Sequence, residues 1–237
     1  MTPPSKPPFL QFYVGKRKIS GYFSHLLRKI TLSNEEVRTV SFLNTLKALL
    51  PAEEEKRHLR ININEPLAIF HLSNRINKFL QSTPKPRSPI ILCIGTDRAT
   101  GDCLGPLTGW HLQTLLRGNK AEVLGTIDNP VHAANLKEVL ANLAPKLSQH
   151  PLLAIDACLG HFANVGTVVF QNGPLKPGTA VKKDLPEIGD AGITGIVNVS
   201  GLMEMQVIQN TRLSLVLKMS QLIAHSIYLS LISSKQP

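Results

Sequence analysis

Ile90-Ile91-Leu92-Cys93-Ile94-Gly95-Thr96-Asp97-Arg98-Ala99-Thr100-Gly101-Asp102-Cys103-Leu104-Gly105-Pro106-Leu107 is the stretch on which the fold turns. Its five apolar residues, Ile90 to Ile94, show no alternation. Such a run reads as a strand buried on both faces of a sheet. A polar turn follows, holding two aspartates, an arginine and two threonines. Gly105-Pro106 then opens an amphipathic stretch, Leu107 to Leu116, that reads as a helix. Strand, polar turn and helix make the first half of a βαβ unit. Ligands of open α/β sheets gather outside the carboxyl ends of the strands, so Asp97 and Asp102 are expected there.

Downstream the pattern repeats. Glu122 to Ile127, Leu152 to Ile155, Thr167 to Gln171 and Thr194 to Val199 read as strands. Helices are predicted over Val131 to Leu143 and from Gly201 onward, with a break near Asn210-Thr211. Upstream, Leu59 to Asn64 alternates as an edge strand does, and Leu67 to Leu80 has helical spacing. Strands alternating with helices predict an α/β fold, a three-layer sandwich whose mainly parallel central sheet is flanked by helices.

Before this domain, assigned to residues 59–237, lies a basic N-terminal extension, residues 1–58. Residues 1–89 hold 15 Lys and Arg against 6 Asp and Glu, whereas residues 90–237 hold 11 against 10. The charge therefore sits upstream of the predicted core, and a nucleic-acid reading based on net charge cannot reach the core. Proline-rich residues 1–8 are expected to be disordered. The mixture of basic and aromatic residues from Phe9 to Ile30 gives only a weak suggestion of nucleic-acid or membrane-surface contact. Ser33-Asn34-Glu35-Glu36 fits a capping box for a helix that Pro51 ends. Cys93, Cys103 and Cys158 form no CxxC pair. No apolar run was expected to span a bilayer, which needs roughly 18 residues. No secretory signal is read at the start, and a reducing, cytoplasmic setting is the expectation.

Several chemistries lack their signature. There is no P-loop, no G-x-G-x-x-G, no G-x-S-x-G and no H-E-x-x-H. What remains is acidic: Asp97, Asp102, Asp128 and Asp156 fall at or just beyond predicted strand ends. Two carboxylates held close cannot both ionise freely, so one keeps a proton while the other acts as base. Such a pair can activate water for attack on an amide. The same carboxylates with a histidine could instead hold a divalent metal, and any one of them could simply cap a turn. A thiol nucleophile, Cys103 or Cys158 with His132 or His161, is a further arrangement these residues allow.

The segment from Gly95 to Leu107 resembles the hallmark of the sporulation-associated YyaC family. So do Asp156-Ala157-Cys158-Leu159-Gly160, Gly173-Pro174-Leu175-Lys176-Pro177-Gly178 and Gly195-Ile196-Val197-Asn198-Val199-Ser200-Gly201. The four occur in the family's order and spacing. That family is similar in turn to the spore germination protease and, more distantly, to hydrogenase maturation proteases. In the germination protease, aspartates stand just before Leu-Gly-Pro and within Ile-Asp-Ala, matching Asp102 and Asp156. The resemblance thus implies a peptidase with Asp102 and Asp156 as catalytic residues, without metal or other cofactor. Its implied substrate is a protein or peptide, such as the small acid-soluble spore proteins, in the sporulating cell or spore.

In the maturation proteases the matching positions are metal ligands, joined by a histidine after a later loop. Gly189-Asp190-Ala191-Gly192-Ile193-Thr194 has no histidine. Asp97, Arg98 and His132 are expected to line the cleft and bind substrate, with Arg98 as anion contact. The alternatives are a non-catalytic module binding spore proteins on the same fold, or a metal-dependent maturation-type endopeptidase. Homo-oligomerisation stays open.

Overall fold

A computed structural model describes residues 58–116, 120–177 and 186–233, together with two short strands near the start. The chain divides into two units, 1–51 and 52–237. In the first, β1 (Tyr13–Val14) pairs antiparallel with β2 (Arg17–Lys18). The capping box at Ser33 and its helix lie outside the described residues.

The second unit is built on β3 (His58–Asn62), β4 (Ile90–Cys93), β5 (Glu122–Leu124), β6 (Leu152–Gly160), β7 (Thr167–Asn172) and β8 (Ala191–Val199). They form a six-stranded sheet in the order β3-β7-β8-β6-β4-β5. Only β7 runs against its neighbours; β8, β6, β4 and β5 are parallel. The helices are α1 (Ala68–Ser82), α2 (Leu104–Leu115), α3 (Leu136–Leu143), α4 (Glu204–Gln209) and α5 (Leu213–Ser233).

Strand alternation sorts the apolar side chains into two cores. Ile91, Cys93, Leu153, Ile155, Phe170 and Ile193 face α1, α2 and α5. Ile90, Leu92, Ile94, Leu152 and Ala154 face α3. Helices therefore cover both faces of a mixed sheet, giving an α/β sandwich of three layers. Ile91 and Ile155 are almost wholly buried, and each side chain of that kind contributes roughly 1.5–3 kcal/mol.

Three sequence expectations shift. Helix α2 starts at Leu104, not Leu107, because a proline in the first helical turn lacks only an N–H that would have no intrahelical partner. Helix α3 starts at Leu136, not Val131, because Val131 bridges Ile94 and extends the sheet instead. Among the described residues one helix, α5, is long and apolar enough to cross a membrane by length and composition, contrary to the expectation of no such run. More than half of its apolar window is buried inside the protein, and Val216, Met219, Ile223 and Ile227 belong to the core. Its hydrophobicity is thus that of a core helix touched on several sides.

Candidate functional site

The parallel strands end unevenly. β4 stops pairing with β6 at Cys93 and Ile155, and a last bond runs from the Ile94 N–H to the Ile155 carbonyl, 2.8 Å. β6 and β8 continue together to Gly160 and Val199. The result is a step in the sheet, and Asp156 is the first residue of β6 beyond it. Asp156 was expected at the end of a strand; it lies inside one. A carboxylate after an apolar run reads locally as a strand end, but here β8 keeps β6 extended.

The turn from Gly95 to Cys103 occupies this step. Gly95 has φ +141°, and a Cβ there would lie 1.9 Å from the Asp102 carbonyl oxygen. At Gly105 a Cβ would lie 2.1 Å from the Ile94 carbonyl oxygen. Two absent side chains therefore let the turn fold flat onto the end of β4 and set Asp102 against it. The Cys103 N–H donates to the Ala99 carbonyl, 3.0 Å, which closes the turn into α2. Asp102 thus arrives from the turn and Asp156 from the neighbouring strand, one residue past the bonded Ile94–Ile155 pair.

Asp156 is only 5% exposed, and its Oδ1 accepts from the Ala157 N–H at 2.9 Å. Asp102 is half-buried. Asp97 and Arg98 are exposed at the outer bend, where the Arg98 N–H donates to Thr96 Oγ1 at 3.3 Å. His132 is also at this end, since the Gly95 N–H donates to the carbonyl of adjacent Val131, 2.8 Å. It has local work too. Its N–H donates to Asn135 Oδ1 at 2.8 Å and its Nδ1 accepts from the Ala134 N–H at 3.3 Å. Asp128 is exposed in the turn closed by the Thr126 N–H donating to the Asn129 carbonyl, 3.1 Å, which is the turn reading.

The thiols report the charge around them. Burial pushes the Cys103 thiol up, and the carboxylates of Asp97 and Asp102 add to that. Burial, followed by the Asp156 carboxylate, pushes Cys158 up to about 12, with Arg60 acting against it. Both stay protonated at neutral pH, so neither is an activated nucleophile.

Arg60 was not anticipated. Cross-strand register explains its influence: Asp156 is opposite Thr194, Thr194 opposite Val169 and Val169 opposite Arg60. Opposite residues share a face, so the four form one row across the sheet. The local alternation of Leu59-Arg60-Ile61 gives the face but not the partners, which lie 96 to 134 residues away in sequence.

Among the described residues, no three His, Cys, Asp or Glu side chains converge as ligands. Asp190, the acid in the Gly189 to Thr194 region, works at the other end of the sheet. It binds Lys85 Nζ at 2.7 Å and accepts from the Leu152 N–H at 2.7 Å.

Comparison with known proteins agrees with the motifs. The chain is 49% identical over 142 residues to the uncharacterized protein YyaC of Bacillus subtilis strain 168, covering 60% of this chain and 68% of that protein. Among solved structures, the NiFe-hydrogenase maturation protease HycI from Thermococcus kodakarensis KOD1 aligns with a TM-score of 0.41 and 15% identity, covering 65% of this chain and 98% of that one. Residues 60–226 match the family model described as "Protein of unknown function (DUF1256)". With most of its length inside that match, the chain belongs to this family.

Proposed function

We propose that residues 59–237 form a peptidase in which Asp102 and Asp156 together activate water for hydrolysis of a peptide bond. The observation that supports the reading is that the turn carrying Asp102 folds onto the end of β4, where Asp156 is the first residue of β6 beyond the step. In this mechanism one carboxylate takes the proton of a water molecule as it attacks the carbonyl carbon. The other, protonated, carboxyl donates to the departing amide nitrogen. Asp97, Arg98 and His132 line the rim and orient the substrate. Protonated thiols on either side favour water over a cysteine as the attacking group.

The proposed substrates are spore proteins, with the small acid-soluble class first to test, and the proposed setting is the cytoplasm of the sporulating cell. The extension, residues 1–58, is given no part in the chemistry. The test is cleavage of small acid-soluble spore proteins, read by mass spectrometry. Wild type, wild type with chelator and Asp102→Asn are compared. Cleavage that survives chelator and disappears in Asp102→Asn is the expected result. Loss with chelator would move the assignment to a metal-dependent endopeptidase. Binding without cleavage by the folded wild type would make it a non-catalytic binding module.

A further inference from the structure

Four large apolar side chains stand in solvent at the same end of the sheet. Phe162 is 80% exposed, Leu202 92%, Met203 64% and Met205 54%. They are not scattered. Phe162 lies in the short turn after β6, and the others lie after β8. The two segments are joined where the Ser200 N–H donates to the Gly160 carbonyl, 2.8 Å. Isolated exposed apolar residues need no explanation, but a group of them on two joined segments marks a binding surface.

The group is fastened to the site. The Gly101 N–H donates to the Ile208 carbonyl at 2.8 Å, so α4 rests on the turn that carries Asp102. A Cβ at Gly101 would lie 2.7 Å from the Ile208 side chain, so only glycine lets the turn and helix meet. From the other side, Asn198 Nδ2 donates to the Val207 carbonyl at 3.1 Å and to Thr211 Oγ1 at 3.2 Å. The backbone under the apolar residues is therefore held, while their side chains are left uncovered. Two of the four are methionines, whose unbranched chains adapt to apolar partners of different shape.

We infer that Phe162, Leu202, Met203 and Met205 form an apolar lip that grips large apolar side chains of a polypeptide lying across Asp102 and Asp156. The occupant follows from continuity. Helix α4, which carries Met205, is bonded at Ile208 to the residue before Asp102, so the lip is continuous with the turn that holds that aspartate. Choosing a polypeptide rather than another apolar partner rests on the peptidase reading. The lip selects flexible segments rich in Leu, Phe or Met, which folded proteins keep inside.

The test is fluorescence anisotropy with the full-length Asp102→Asn protein, which leaves the probe uncut. The two probes are fluorescein-labelled peptides, one with alternating Leu and Phe and one with Gln and Asn at the same positions. The lip variants are Leu202→Ser with Met205→Gln, and separately Met203→Asn, which suits the left-handed backbone at that residue (φ 59°). The same variants are measured in the otherwise native chain. Burying one large apolar side chain predicts a preference of about tenfold or more for the apolar probe, and a loss of about tenfold in each lip variant. Thermal midpoints stay within a few degrees.

Equal binding of the two probes, no binding of either, or no loss in the variants overturns the inference. A dimer that the lip variants dissociate, with peptide binding unchanged, makes the lip a contact between two copies of this chain. Lip-dependent binding to phosphatidylglycerol vesicles, with peptide binding unchanged, makes it a lipid contact. Cleavage by wild type is scored separately. Lip-dependent binding without cleavage overturns the peptidase reading and leaves the lip, whereas cleavage that ignores the lip does the reverse.

Discussion

Gly95→Ala is the sharpest perturbation of this site. The new Cβ would lie 1.9 Å from the Asp102 carbonyl oxygen, and real Cβ atoms essentially never come within 3.0 Å of such an atom. The turn must retreat by about 1 Å, and the neighbour is backbone, so no side chain can swing aside. Two costs combine. An L side chain at φ +141° is strained by about 1–3 kcal/mol. Overpacking against fixed backbone adds about 1–3 kcal/mol. Gly173→Ala separates them, since Gly173 has φ +106° and nothing within 4 Å of the added Cβ. Urea unfolding is therefore expected to show Gly173→Ala losing the strain alone and Gly95→Ala losing about 1–3 kcal/mol more. A 1 Å displacement of Asp102 also predicts a fall of about a hundredfold in kcat/KM for any cleavage reaction. Gly95→Ala as stable as Gly173→Ala, with cleavage intact, would refute the claim that this glycine sets Asp102.

Three further outcomes are expected. Asp190→Asn leaves Lys85 without its counter-charge and weakens the bond to the Leu152 N–H; denaturant unfolding should show a loss of about 1–3 kcal/mol with cleavage unchanged. Cys158, raised to about 12, stays a thiol where an unfolded thiol of pKa 9.0 ionises. Its contribution to stability is therefore complete below pH 9 and lost as pH rises toward 12, and iodoacetamide mapping at pH 9 should find it roughly a hundredfold slower in native than in denatured protein. His111 is lowered from 6.5 by burial and then by His225, and its Nε2 has no hydrogen-bond partner. The unfolded chain therefore binds the proton more readily, stability falls as pH drops below 6.5, and His111→Gln should flatten that slope in thermal melts between pH 7 and 5.

The buried strands were legible because each is a short apolar run between turn signals. The helix break near Asn210-Thr211 was legible because polar residues interrupt an otherwise apolar stretch. Asp102 and Asp156 are candidates from position and resemblance, while their places beside one step of the sheet depend on β4 being shorter than β6. That difference is set by pairing between distant segments. For the same reason the reversal of β7, the row leading to Arg60 and the continuation of β6 through Asp156 could not be read locally. Helix α5 has the length and composition of a membrane span, yet an apolar stretch with polar residues on one side is expected to lie against the sheet, and its burial agrees.

The order of the sheet has a consequence for how the protein is made. Of the described strands β8 comes last in sequence, yet it sits between β7 and β6. Until it arrives, β3 with β7 and β5 with β4 and β6 are two separate half-sheets, each with an unprotected edge. Both carboxylates are already synthesised at that stage, but nothing holds β6 extended past the step. A nascent or truncated chain ending before Ala191 thus carries both aspartates without the strand that keeps β6 extended through Asp156. It also presents two open edges on which other chains can pair, which is the usual route to aggregation. Insertion of one central strand joins the two half-sheets and holds β6 extended past the step in the same event.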